Sequence, residues 1–167
     1  MIKRLFISII LCAVALCTSA QTGAGEKSLG PKLGYISENS SVVAGLVFRY
    51  SLTDHLTVVP EIGCAFRNKD RDAFLADVNF HFPFALTDSR KASLYPLAGL
   101  AFNSWNRHGV DEDNKDVTTH VNRFGLNLGA GFGLRCSQSL LLNMEAKYIL
   151  VKSYSCTVLT LGVSYVF

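Results

Sequence analysis

Glu145 and Lys147, two residues apart, and His81 with Asp77, four apart, are where this sequence comes nearest to reactive chemistry. On an extended chain, residues two apart share a face, so each pair projects to one side. An imidazole beside a carboxylate is what a general base needs, and it is equally a satisfied buried polar pair. Asp111-Glu112-Asp113-Asn114-Lys115-Asp116 gathers carboxylates of the kind that calcium accepts. The run lacks the glycine and the terminal bidentate glutamate of an EF-hand loop, and reads as a solvated acidic connection. Of five cysteines, Cys12 and Cys17 fall in the apolar amino terminus, leaving Cys64, Cys136 and Cys156. Three thiols cannot all pair, and no C-x-x-C or Cys/His spacing fits zinc. No catalytic, cofactor-binding or metal residue is therefore assigned.

The elements that carry these residues read as strands. Eight are predicted: Leu29–Ile36, Val42–Tyr50, Leu56–Arg67, Ala73–Phe84, Ser93–Asn103, Val121–Arg135, Leu140–Leu150 and Thr157–Phe167. In the last, Leu159, Leu161, Val163, Tyr165 and Phe167 alternate with Val158, Thr160, Gly162, Ser164 and Val166. In the sixth, Phe124, Leu126, Leu128, Ala130, Phe132 and Leu134 face away from Gly125, Asn127, Gly129, Gly131, Gly133 and Arg135. A one-residue slip in the seventh would move Glu145 and Lys147 to the apolar face, so its register is strongly specified. Pro60, Pro83 and Pro96 fall within predicted strands and mark bulges or strand ends. Trp105–His120 reads as a long polar connection. Trp105, Phe102 and Tyr154 read as an aromatic girdle.

The amino terminus has the form of a secretory signal peptide over residues 1–20: Lys3 and Arg4, the apolar stretch Leu5–Leu16, and small residues Thr18-Ser19-Ala20. Cleavage would leave Gln21 first, a short linker over 21–28 and a domain over 29–167. A lipoprotein reading of Cys17 is disfavoured by Leu16 directly before it. The remaining chain is nearly neutral, which gives no basic patch for nucleic acid. It has no apolar run long enough for a membrane helix, yet hydrophobic residues make up 49% of the sequence. Apolar side chains that face lipid in alternation reconcile the two. With both chain ends on the periplasmic side, turns near 51–55, 85–91 and 136–139 are periplasmic. Connections near 37–41, 68–72, 105–120 and 151–155 face outward.

A signal peptide, Tyr95-Pro96-Leu97-Ala98-Gly99-Leu100-Ala101, the glycine alternation Gly125–Gly133 and the ending Gly162-Val163-Ser164-Tyr165-Val166-Phe167 resemble small outer-membrane β-barrel proteins of the OmpA/OmpX type. More specifically, the chain is similar to the porin-like outer-membrane β-barrel domain proteins common in Bacteroidetes. The resemblance implies an all-β, eight-stranded antiparallel transmembrane barrel, an up-and-down meander in the outer membrane. It implies contact with outer-membrane lipids and lipopolysaccharide, and recognition by the barrel assembly machinery through the strand ending in Phe167. It implies no substrate.

An eight-stranded barrel is only wide enough for its own side chains. The expected interior holds Lys32, Arg49, Glu61, Arg67, Asp77, Asn79, His81, Asn127, Arg135, Asn143, Glu145 and Lys147, with Glu61 within reach of Arg49 on the neighbouring strand. The expected role is structural or surface-interacting, with no cofactor and no enzymatic activity. A narrow pore for ions or small solutes is the alternative. A lipid A-modifying enzyme or a soluble ligand-binding barrel fits less well. The deacylase barrels carry His-x-Ser, whereas the histidines here read His55-Leu-Thr, His81-Phe-Pro, His108-Gly-Val and His120-Val-Asn.

Overall fold

The computed structural model describes residues 23–86, 91–110, 116–151 and 155–167. The expected signal peptide, Tyr154 and most of the acidic run, 111–115, lie outside the described residues. The strands are β1 (Lys27–Ile36), β2 (Ser41–Thr53), β3 (Leu56–Asn68), β4 (Arg71–His81), β5 (Phe84–Ala85), β6 (Ala92–Val110), β7 (Asp116–Arg135), β8 (Leu140–Leu150) and β9 (Cys156–Val166). Each long strand pairs antiparallel with its neighbours in sequence, and β1 pairs with β9 to close the sheet. β4 pairs directly with β6, and β5 is a two-residue spur against Leu94 and Ser93. Eight long strands thus form a closed meander barrel. Closure removes the sheet edges that would otherwise expose unpaired backbone groups.

Alternation of side chains builds the wall. Burial changes at every residue of β9, with Leu159, Leu161, Val163 and Tyr165 outside and Val158, Thr160, Ser164 and Val166 inside. The outer surface is a belt of large apolar side chains, among them Leu33, Leu46, Ile62, Phe80, Leu100 and Leu128. Water would oppose such a surface, and hydrocarbon matches it. Pro83 lies between β4 and β5, outside either strand, where its missing N–H costs no ladder bond. Pro60 stays within β3, in a gap of the β2 ladder between Val47↔Glu61 and Tyr50↔Val58.

Three expectations are corrected. Residues 105–120 are mostly strand, because β6 runs to Val110 and β7 starts at Asp116. Trp105 consequently keeps the inward phase of Tyr95, Leu97 and Ala101 and is buried inside the barrel, away from the outer girdle. Phe102 does face outward, 5.0 Å from the Phe124 ring. Arg67 is exposed and bonds Asp70 at 2.9 Å, because the ladder shifts register between Ala65 and Asn68 and breaks the alternation.

The interior has two layers. Toward the end formed by the 37–40, 69–70 and β6–β7 connections, Ile36, Val43, Leu75, Trp105, Ile149 and Val158 make an apolar layer. Charged residues fill the middle. The end carrying Lys27, Phe167 and the β2–β3 and β7–β8 turns is polar and partly hollow.

Candidate functional site

Three cations and three carboxylates meet inside the barrel. Lys32, Arg49 and Lys147 enter from β1, β2 and β8, and Glu61, Asp77 and Glu145 from β3, β4 and β8. Arg49 Nη2 donates to Glu145 Oε1 at 2.9 Å, and Lys147 Nζ donates to Glu61 Oε2 at 3.0 Å. Lys32 also bonds Glu61, and Lys147 also bonds Asp77. Asn79 donates to Glu61 at 2.8 Å and accepts from Asn127 at 2.9 Å. The expected Glu61–Arg49 partnership is replaced: Glu61 takes the two lysines, while Arg49 reaches across the lumen to Glu145. Adjacent strands fix which side chains are neighbours along the wall. Tilt and stagger of the closed sheet fix which ones meet across it.

Every other expected interior residue except Arg67 is buried: Lys32, Asp77, Asn79, His81, Asn127, Arg135, Asn143 and Lys147 among them. Arg135 bonds Glu26 at the terminal rim. Tyr95 went unassigned from sequence, yet its hydroxyl donates to Glu145 at 2.9 Å and its ring stacks on His81 at 4.6 Å. Tyr95 lies opposite Gly131 in the β6–β7 ladder, and a Cβ at residue 131 would collide with its ring. A glycine facing an aromatic across two strands is the signal that could have found it.

Glu61, His81 and Glu145 offer ligand atoms within 4.8 Å of one another. Both carboxylates already accept hydrogen bonds from cations of the chain itself, so a divalent ion would add uncompensated positive charge to a balanced interior. The residues do not fit a metal centre. On the terminal side, a cavity of about 50 Å³ is lined by Ser28, Arg49, Ser51, Thr57, His81 and Asn143. His81 Nε2 and Asn143 Oδ1 have no hydrogen-bond partner among the described residues. That volume and polarity suit a few ordered waters.

The other end carries a second polar group. Asp72 Oδ1 lies 2.5 Å from His108 Nε2, and His108 Nδ1 lies 3.2 Å from Thr118 Oγ1. This carboxylate, imidazole and hydroxyl occur in the order that a hydrolase uses. They stand on an open sheet face, with Thr118 and His120 exposed, where bulk water is not excluded. Asn39 Nδ2 donates to the carbonyls of Asn68 at 2.6 Å and Arg71 at 2.9 Å, tying the β1–β2 turn to the β3–β4 turn. Glu38, beside it, has its carboxyl pushed above the usual range by burial, against the pull of Arg123, Arg71 and Arg107. Cys64 is exposed, Cys136 half-buried and Cys156 buried, and no disulfide joins them.

A closed barrel with an apolar exterior and an ion-paired interior is built for lipid, and residues 9–167 match the family of outer membrane protein β-barrel domains. The chain belongs to that family. This outer-membrane barrel shares its fold with several solved structures. The N-terminal β-barrel domain of Pseudomonas aeruginosa OprF has a TM-score of 0.72 at 17% identity, covering 87% of this chain and 100% of that one. Ail, the attachment invasion locus protein of Yersinia pestis, has 0.61 at 18%, covering 86% and 99%. A de novo designed transmembrane β-barrel has 0.63 at 17%, covering 89% and 100%. No curated protein sequence matches. At such identities the likeness is one of fold, and a designed barrel fits about as well as Ail does.

Proposed function

We propose that this outer-membrane barrel is a sealed structural element that holds the long β6–β7 hairpin at the cell surface, and that it is neither a channel nor an enzyme. The filled lumen carries the reading. An ion-paired layer and an apolar layer with Trp105 stand in series across a barrel already too narrow for a wide aqueous path. In this reading the signal peptide over 1–20 is removed and the terminal rim lies in the periplasm. The β6–β7 hairpin then lies outside, since outer-membrane barrels have short periplasmic turns and longer external loops. The strand that ends at Phe167 serves recognition by the assembly machinery, and the apolar belt meets lipid and lipopolysaccharide. The terminal cavity favours the alternative, a narrow pore, only as far as the polar layer.

Planar-bilayer recording of the refolded mature chain tests the seal, and protease or tag accessibility at residue 112 on intact cells tests the orientation. We expect no unitary conductance steps and a surface-accessible hairpin. Reproducible steps would replace the sealed reading with the pore. A hairpin accessible only after the outer membrane is opened would reverse the topology.

A further inference from the structure

We propose that the upper edge of β7, residues 118–124, is a docking site for an extended segment of a second, soluble polypeptide, which adds to the sheet as a strand. Closure of the barrel is complete only as far as β8 reaches. β7 pairs with β6 over 116–134, but with β8 only over 126–135. In an antiparallel ladder, successive residues turn their N–H and C=O groups to opposite neighbours. At the lower end of β7, Arg135 N–H donates to the Lys91 carbonyl on the β6 side at 2.8 Å. Cys136 N–H donates to the Leu140 carbonyl on the β8 side at 2.9 Å. The β6–β7 ladder runs without a register shift, so that phase holds along its length. His108 N–H, donating to the Asp70 carbonyl at 2.8 Å, gives the same phase from the far side of β6. Thr118, His120, Asn122 and Phe124 therefore point their N–H and C=O groups past the end of β8. No backbone group of the described residues meets them there.

The β8–β9 connection spans only 151–155, and Ser155 Oγ donates to the Val151 carbonyl at 3.3 Å, so its two ends meet at the foot of this edge. The edge itself extends about 20 Å, at about 3.4 Å per residue. It lacks the devices that keep strand edges apart: residues 116–125 contain no proline and no lysine, and the ladder has no bulge. It is also held open. Ser104 Oγ donates to Asn122 Oδ1 at 2.7 Å, His120 Nδ1 lies 2.6 Å from Asn106 Oδ1, and Thr118 Oγ1 lies 3.2 Å from His108 Nδ1. These side chains are drawn toward β6, away from the free edge. Asn106 and His108 are bonded in turn to Asp72 on β4, which ties the hairpin to the wall. The strand is thus ordered before a partner arrives, and less entropy is lost on pairing.

Donors and acceptors that alternate along a line are matched by another backbone, which takes the place in the sheet that β8 holds below. Lipid and sugar present no such repeat. A second barrel in the same membrane fits poorly, because its β7 runs in the same direction and the tilt of the two strands makes them cross. A soluble segment can lie along the edge in either direction. Its side chains alternate between the outer face, beside Thr118, His120 and Asn122, and the inner face, beside Val117, Thr119 and Val121. A segment that alternates polar and β-branched residues fits both. The pairing rests on the edge alone, whereas a partner from outside the cell rests on the proposed orientation.

The full mature chain, isotope-labelled and refolded in detergent, is followed by amide hydrogen exchange. The probe is a capped peptide of about eight residues, the span of the edge, alternating Thr and Val between flanking lysines. In the free protein the amides of Thr119, Val121 and Arg123, which face β6, should be protected, and those of Thr118, His120, Asn122 and Phe124 should exchange freely. Saturating peptide should slow the second set about tenfold and leave the first unchanged. Thr118→Pro and Asn122→Pro remove N–H groups that the β6 ladder does not use, so the barrel should still fold, as heat-modifiable gel mobility reads. Each should weaken the peptide about tenfold, since a donor is lost and the ring stands where the partner's carbonyl approaches. Thr118→Ala keeps the N–H and should bind the peptide as the wild type does. The same peptide N-methylated at every residue should not bind. Protection of the second set before peptide is added, no protection with it, or wild-type affinity in folded Pro variants overturns the proposal. So does protection that rises with protein concentration alone, which would make a second copy the occupant. Orientation does not enter this titration, so its failure falls on the edge, while a residue 112 inaccessible on intact cells falls on the orientation.

Discussion

Glu145 is held by Arg49 and by Tyr95, so its loss acts through what it leaves behind. Glu145→Ala strands a guanidinium in a buried lumen, at an expected cost of about 3–5 kcal/mol. Removing both partners, as in Arg49→Met with Glu145→Leu, should restore most of that stability. The comparison is read from urea unfolding followed by gel mobility. A single variant as stable as wild type would show that water reaches the pair. Glu38 provides the pH test. Burial raises its folded-state pKa above the unfolded value, against the pull of Arg123, Arg71 and Arg107. Its contribution is therefore full below the unfolded value, about 4.3, and is lost as pH rises through the folded one. Stability of the wild type should fall across that window, and Glu38→Gln should flatten the fall. Parallel curves for the two proteins would remove Glu38 as the cause.

Pairs of strands, more than single side chains, set what fits in the lumen. Gly131 on β7 accommodates the Tyr95 ring on β6, so Gly131→Ala should cost about 1–3 kcal/mol by overpacking. In a Tyr95→Ala background the same change should cost much less, and equal costs in both backgrounds would deny the contact. On the outer face, Leu161→Arg near the middle of β9 should cost about 2–4 kcal/mol in a bilayer. β8 was legible to the residue, Leu140–Leu150, because lipid on one face and charge on the other leave a strict alternation. The upper parts of β6 and β7 were not legible. There both faces carry polar residues, such as Asn106 and Arg107, so the dyad period vanishes although the ladder continues. Trp105 was misplaced for the same reason. The interior set was readable from charge placement, whereas the Arg49–Glu145 partnership was not, since nothing along one strand encodes height across a lumen.

For the whole barrel, the two layers act as barriers in series, and that arrangement predicts how it can be opened. Arg49→Ser with Glu145→Ser removes a complete charge pair from the polar layer, which avoids an uncompensated buried ion. Trp105→Ser with Ile149→Ser thins the apolar layer, where a dry hydrophobic constriction opposes ions by excluding water. Either double change leaves the other barrier standing, so each alone should stay silent in planar bilayers. The quadruple variant should show small unitary steps, provided that its gel mobility shows a folded barrel. Steps from the polar-layer variant alone would mean that the apolar layer is already wet, and the seal would then rest on the ion pairs. Silence from the folded quadruple variant would instead assign the barrier to the remaining Lys32, Glu61, Asp77 and Lys147 cluster, which spans the same lumen with four charged side chains.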